Sequence, residues 1–322
     1  MSYSLIKSVA AFPPNADGSR QKLEGEYLSP SQVKAFERCE SAYYAAYAKG
    51  RREPGKPKLL LGTAFHRFAE VFHQRQMAGF SSQDAATVAY EVMSETIESE
   101  IAADKLFRWG EDLVWYKGAK FTKDSLHARA RTAAALVLPT LEKYEPIRLE
   151  QGYVIHWSDG ITLPILAFTD LIARNRQLQS KPPLVIDYKT SGQAKAEFDL
   201  LTDLALTAYS IGEGLTTGGT MIENVGYINI VTTKEMQIQE LFDRRFEDDI
   251  RRLYNAARVQ TLKIRAGLIG MTQSKQNCGS CYQREWCVEQ FGGVRPEESA
   301  EEAAQADADA NYLEVITPAI AA

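Results

Sequence analysis

The chain has 322 residues, 45% hydrophobic and 25% charged, an ordinary globular composition that excludes collagen-like, mucin-like and largely disordered classes. No stretch approaches the ~18 apolar residues of a membrane span, and the N-terminus has no apolar run fit for a secretory signal, so no membrane partner and a cytoplasmic location are expected. The formal net charge is −5. No Lys or Arg follows Arg295, and the tail beyond it carries seven acids; without them 37 basic residues face 35 acidic ones. Charge alone therefore neither points to DNA nor excludes it.

Residues 1–27 read as a leader with little periodicity. Ser29-Pro30-Ser31-Gln32 is a helix start, with Ser as N-cap, Pro at the first helical position and Gln three residues after the cap. Val33, Phe36, Tyr43, Tyr44 and Tyr47 recur at helical spacing and put Cys39 inside or at the end of this helix. A basic loop at 49–58 follows, equally readable as a phosphate contact or as a solvated loop. Helices are expected from Gly62 to about Met77, over 84–103 and over 120–145. Tyr153–Trp157 and Ile161–Phe168 flank Ser158-Asp159-Gly160 as a hairpin, with Asp170 closing the second strand. Leu184-Val185-Ile186 is a short buried strand that ends in Asp187-Tyr188-Lys189. A helix over 196–215, a strand over 225–231 and a long helix over 239–267 complete the body. Arg251, Arg258 and Arg265 form one stripe on that last helix, either a DNA contact or a solvated face. The Ala- and acid-rich end reads as a flexible or partner-binding extension. No GxxxxGK[ST] is present, so the chain by itself is not an ATP-driven motor.

The four cysteines are Cys39, Cys278, Cys281 and Cys287, three of them in one CxxCxxxxxC run. In a reducing compartment such a set suggests a metal site rather than disulfides, the alternative being scattered structural thiols. The other chemical signal is the pair of strand-end acids. Asp170 and Asp187 on adjacent strands can converge on one hard cation, Mg²⁺ or Mn²⁺, with the Tyr188 carbonyl as a third ligand. Lys189, two residues after Asp187, points to the same side of the strand. It can assist an attacking water or stabilise a pentacovalent phosphate, as metal-assisted phosphodiester hydrolysis requires. The competing reading is an ordinary Asp–Lys contact at a strand end. His66 adds weight if it reaches the same cation. His73 lies ~10 Å further along the helix, too far for that ion, and with His127 and His156 reads as structural. Glu70 and Glu150 are candidate supporting groups.

In this order, SPSQ…C, GxxxH, a strand-end Asp, DYK and CxxCxxxxxC, the chain resembles the Cas4/RecB-type nucleases of the PD-(D/E)XK superfamily, over roughly residues 28–290. The AddB nuclease domain shares the split cysteine arrangement. The resemblance implies an α/β fold: a restriction-endonuclease-like mixed β-sheet core flanked by helices, with a helical N-terminal part and a C-terminal iron–sulfur loop. It makes Cys39, Cys278, Cys281 and Cys287 ligands of a [4Fe-4S] cluster. It makes His66, Asp170, Asp187 and the Tyr188 carbonyl ligands of the divalent cation, and Lys189 the catalytic lysine. It implies a nuclease domain over 28–295, closed by the cluster, between the leader at 1–27 and the acidic tail at 296–322.

The chain departs from the family pattern in three places. The helix after DxK often carries QxxxY; Tyr209 fits, but Ala205 stands at the Gln position. Ala167 replaces a usual Gly, and Glu40 a frequent Pro after the first Cys. Zn²⁺ also takes four thiolates, but structural zinc usually pairs cysteines in two knuckles, so one distant Cys plus a triplet fits iron–sulfur better. The expected function is a metal-dependent deoxyribonuclease, an exonuclease on DNA ends or single strands in recombination, repair or CRISPR adaptation. The rival is a weak or inactive DNA-binding scaffold that docks recombination or CRISPR proteins.

Overall fold

A computed structural model describes residues 2–15, 25–53, 55, 57–103, 108–109, 112–116, 119–178, 182–233, 235–279 and 281–292. The acidic tail at 296–322 lies outside them. One six-stranded sheet runs through the molecule in the order β1-β5-β6-β7-β8-β9: β1 (Ile6–Phe12), β5 (Tyr144–Trp157), β6 (Ile165–Asn175), β7 (Leu184–Ser191), β8 (Asn224–Val231) and β9 (Gln237–Arg244). Only β7 and β8 pair in parallel; the other neighbours are antiparallel. A separate small sheet holds β2 (Arg108–Trp109), β3 (Asp112–Tyr116) and β4 (Ala119–Phe121).

Helices cover both faces of the main sheet. On one side α3 (Pro57–Met77), α4 (Ser82–Ala102) and α5 (Lys123–Leu141) bury Phe65, Phe68, Phe72, Met93 and Val137 against Leu171, Ile186 and Ile228. On the other, α1 (Pro30–Arg38), α7 (Leu204–Thr217) and α8 (Glu247–Arg265) bury Val33, Leu206, Ile211 and Leu253 against Ile155, Ile172 and Val185. Each such side chain contributes roughly 1.5–3 kcal/mol when taken fully out of water. β7 is central and buried on both faces, which is why its apolar run does not alternate. The fold is thus the mixed sheet flanked by helices that the sequence implies. Among the described residues no helix is long and apolar enough to cross a membrane.

The signal at Ser29 is real: its side chain caps α1 by accepting from Gln32 N (3.2 Å). Cys39 then adopts extended backbone (φ −164°, ψ 113°) and separates α1 from α2 (Glu40–Tyr43). The hairpin at Ser158–Gly160 also forms, with Asp159 Oδ1 accepting the N–H groups of Ile161 (3.1 Å) and Thr162 (3.0 Å).

Several boundaries differ from the sequence expectation. β5 begins nine residues before Tyr153, because a register shift near Pro146–Arg148 interrupts the alternation that marks a strand. β6 starts only at Ile165 and runs past Asp170, which therefore lies within the strand, because Leu171-Ile172-Ala173 continue it into both cores. β7 likewise continues through Asp187, Tyr188 and Lys189 to Ser191, carried by its pairing with β8. The expected helix over 196–215 is two, α6 (Glu197–Leu201) and α7, broken where Asp203 caps the second. The segment expected to open the last helix begins as strand β9, and α8 starts at Glu247. Part of the expected leader is β1, paired with β5 at the sheet edge. α3 begins at Pro57, before Gly62.

Candidate active site

β6 and β7 pair only through Leu171–Ala173 and Leu184–Ile186, and then part. Asp170 and Asp187 stand on either side of this opening. The Tyr188 N–H bridges it by donating to Asp170 Oδ2 (2.8 Å). Both carboxylates are buried, Asp170 to 4% exposure and Asp187 to 3%.

Helix α3 supplies the roof. His66 Nδ1 lies 3.4 Å from Asp170 Oδ2, and the imidazole remains 32% exposed. Gly62 lets α3 come close: a Cβ there would meet Thr190 Oγ1 at 2.8 Å. Tyr188 keys α3 to β7. Its ring meets Phe65 edge-on at 5.7 Å, its hydroxyl lies 2.9 Å from His73 Nε2, and His73 stacks on the ring at 6.5 Å. His73 thus has the structural role read from its spacing.

Lys189 pairs with Asp187 Oδ2. That oxygen is buried and its contact with the ammonium is not aligned as a hydrogen bond. Burial pushes the Asp187 carboxyl well above the usual carboxylate range; Lys189 offsets part of the rise, and Asp170 and Asp203 add to it. Burial also disfavours charge on His66, but Asp170 outweighs it and holds the imidazole above its ordinary value. Burial opposes the Lys189 charge too, but Asp187, Asp170 and Asp203 overcome it, so the lysine is a firmly held cation. Two like charges forced into a dry cleft raise each other's pKa, and a cation relieves that strain.

Among the described residues no three His, Cys, Asp or Glu side chains converge closely enough to enclose a metal ion as they stand. The donor chemistry nevertheless fits a hard divalent cation: two carboxylates, one imidazole, and a buried Asp187 oxygen poorly served by its present partner.

The remaining candidates divide. Glu150 stands on β5 between residues registered with Leu171 and Thr169, beside Asp170, in the left-handed region at φ 47°. A non-glycine held there costs of order 1 kcal/mol, so the backbone is strained next to the acids. Glu70 is turned elsewhere: Arg67 Nη1 (2.7 Å) and Gln74 Nε2 (2.8 Å) donate to it. Tyr209 is buried in the α7 core. In the arginine stripe, Arg251 pairs with Asp248, and Arg258 lies 3.8 Å from Asp159.

The four cysteines come together from both ends of the described chain. Cys39 at the α1–α2 break, Cys278 at the end of α9 (Lys275–Cys278), Cys281, and Cys287 in α10 (Arg284–Phe291) line one cavity of about 300 Å³. Ser41 Oγ lies 3.3 Å from Cys39 Sγ and 3.4 Å from Cys287 Sγ. Burial raises the Cys281 thiol, and the other three cysteines raise it further, which reflects their mutual proximity. Four soft thiols lining one cavity are the donor type that a thiophilic metal or an iron–sulfur cluster takes, but as they stand no three of them are gathered closely enough to enclose a metal ion. Glu40, unexpected after the first Cys, ties this corner to the C-terminal part: its carboxylate pairs with Lys263 and accepts Gly270 N–H (2.8 Å).

Sequence reasoning missed Asp203 and Tyr227, which stand beside Lys189 at the start of α7 and on β8, and Arg245, which holds the α6–α7 corner that carries Asp203. Asp203 alone had a legible signal, as an acid at a helix N-cap.

The sequence profile of the PD-(D/E)XK nuclease superfamily matches residues 27–288, and the chain belongs to that superfamily. No curated protein matches it. The crystal structure of a candidate exonuclease from Eubacterium rectale superposes with a TM-score of 0.48 at 11% identity, over 85% of this chain and 100% of that one.

Proposed function

We propose that this chain is a divalent-metal-dependent DNA exonuclease of the Cas4/RecB type, with its nuclease domain over residues 28–295. The observation that carries this reading is the meeting of His66, Asp170, Asp187 and Lys189 where β6 and β7 part.

His66, Asp170, Asp187 and the Tyr188 carbonyl would hold one Mg²⁺ or Mn²⁺, which when bound would supply Lewis-acid stabilisation of charge at the scissile phosphate. Lys189, kept charged by its acidic neighbours, orients the attacking water and faces the phosphate oxygens. Asp170 fixes the β7 backbone through Tyr188 N–H. Phosphate contacts supply affinity without base reading, so binding weakens steeply with salt. Lys49 and Arg52 of the basic loop, which lie over the Tyr44 and Tyr47 rings, are the cations offered for this. Cys39, Cys278, Cys281 and Cys287 hold a [4Fe-4S] cluster that staples the helical N-terminal part to the C-terminal loop.

The test compares end-labelled linear DNA with covalently closed circles, single- and double-stranded, on anaerobically purified protein. Degradation of linear DNA with circles spared supports the exonuclease. Cutting of circles contradicts it, and cluster-loaded protein that binds DNA without cutting favours the scaffold. Iron and acid-labile sulfide in equal amounts support the cluster; zinc without iron sinks it.

A further inference from the structure

Lys189 is held by more than Asp187. Its Nζ lies 5.7 Å from the centre of the Tyr227 ring, within the range at which a ring face attracts a cation. Tyr227 is the β8 residue registered with Asp187. Its hydroxyl donates to Asp203 Oδ2. The other oxygen of that carboxylate accepts Ala205 N–H (2.7 Å) and caps α7. One aspartate therefore faces the helix with one oxygen and the phenol with the other.

The corner that carries Asp203 is pinned from behind. Arg245 is 1% exposed. Its Nε donates to Thr207 Oγ1 (3.1 Å), and its Nη2 to the carbonyls of Leu200 and Asp203. Arg252 Nη2 donates to Leu201 O (2.7 Å). A buried guanidinium is costly unless its donors are used; here they fix the α6–α7 junction. Ala205 offers no amide from this turn, so Asp203 is the polar side chain that the start of α7 presents toward the site.

We propose that Asp203 and Tyr227 are positioning residues for Lys189: Asp203 fixes the Tyr227 phenol, and the ring face together with Asp187 holds the ammonium on the side where water and phosphate meet. This rests on the reading of Lys189 as a participant in phosphodiester hydrolysis. A lysine stem is long and rotamer-rich, and a displacement of about 1 Å at a reacting centre costs up to ~100-fold in rate. The phenol touches neither water nor phosphate; it narrows where the ammonium goes.

The test uses Asp203→Asn, Tyr227→Phe and the double variant of the full chain. Asn is as good an N-cap as Asp, and Phe keeps the ring, so both variants fold. Each single change lowers kcat about tenfold, with KM for DNA and the half-saturating Mn²⁺ within about twofold, and the double variant is no slower than the worse single one, as groups acting in series require. Unchanged kcat in both single variants, or losses that multiply, overturns the proposal. Crystal structures of the variants supply a readout independent of turnover: in Asp203→Asn the Lys189 ammonium leaves the ring face, and an unmoved ammonium refutes the positioning role. If the unmodified protein cleaves no DNA, the nuclease reading fails while this structural readout still decides the proposal.

Discussion

At the residue scale, His73 shows how the site is supported without being part of it. The ring is wholly buried between Tyr188 and Gln76, and burial draws its pKa down to about 4. The unfolded chain binds a proton near pH 6.5 and the native one does not until about pH 4. Stability is therefore fully present above pH 6.5 and is lost as pH falls toward 4, by roughly 3 kcal/mol from this group alone. His73→Gln keeps a partner for the Tyr188 hydroxyl but does not titrate. Urea unfolding at pH 7, 5.5 and 4 should show the variant losing about 3 kcal/mol less over that interval; parallel pH dependences would refute the assignment. Asp187 is the opposite case, a group whose burial serves activity at the expense of stability. In EDTA, Asp187→Asn should melt a few degrees above the unmodified protein, on the order of 1 kcal/mol. The quartet of His66, Asp170, Asp187 and Lys189 was legible because type and order along the chain carry it. Tyr227 and Arg245 were not, and Asp203 was legible only as a helix cap, because only the β7–β8 register brings Tyr227 beside β7 and only the folded α6–α7 corner brings Arg245 to Asp203.

At the scale of elements, two glycines let α7 pack closely, Gly212 against the sheet and Gly214 against the segment that leads to β8. A Cβ on Gly214 would run into the backbone of Thr220 and Met221, and one on Gly212 into the Tyr153 ring. Gly214→Ala should cost about 2–3 kcal/mol, read from the urea midpoint, because backbone cannot move aside as a side chain can. Gly218→Ala, whose Cβ would stand an ordinary 3.8 Å from Gly214 O, should change stability by less than about 0.5 kcal/mol. The elements the sequence made plain are those with one strong local cause: the Ser29 cap, the Asp159 turn, the apolar run of β7. β1 and β9 were illegible for the same reason as each other. Both are edge strands, half exposed, and β9 is rich in Gln, Glu and Asp, which depress a strand reading while its pairing comes from β8. The break at Asp203 was hidden because Leu204 to Tyr209 continue the apolar periodicity of the residues before it.

At the scale of the molecule, the cysteine cavity joins residues more than two hundred positions apart. A cross-link that closes so long a loop stabilises by on the order of 5 kcal/mol in the chain-entropy account. If the proposed cluster is that cross-link, its loss should lower the melting temperature by about 10 °C or more. Cys39→Ala and Cys281→Ala should each produce that drop together with loss of visible absorbance, and the double variant should add little, because one cofactor is lost in every case. Separate, additive effects would point to ordinary buried thiols.

The central claim is that the opening between β6 and β7 is a metal-dependent nuclease site. The most direct measurement is degradation of end-labelled DNA in Mg²⁺, Mn²⁺ or EDTA by the unmodified chain and by Asp187→Ala. The account predicts cleavage with either metal, none in EDTA, and a loss of at least about 100-fold in the variant, which keeps its fold. Equal cleavage by the variant, or cleavage that persists in EDTA, would contradict it.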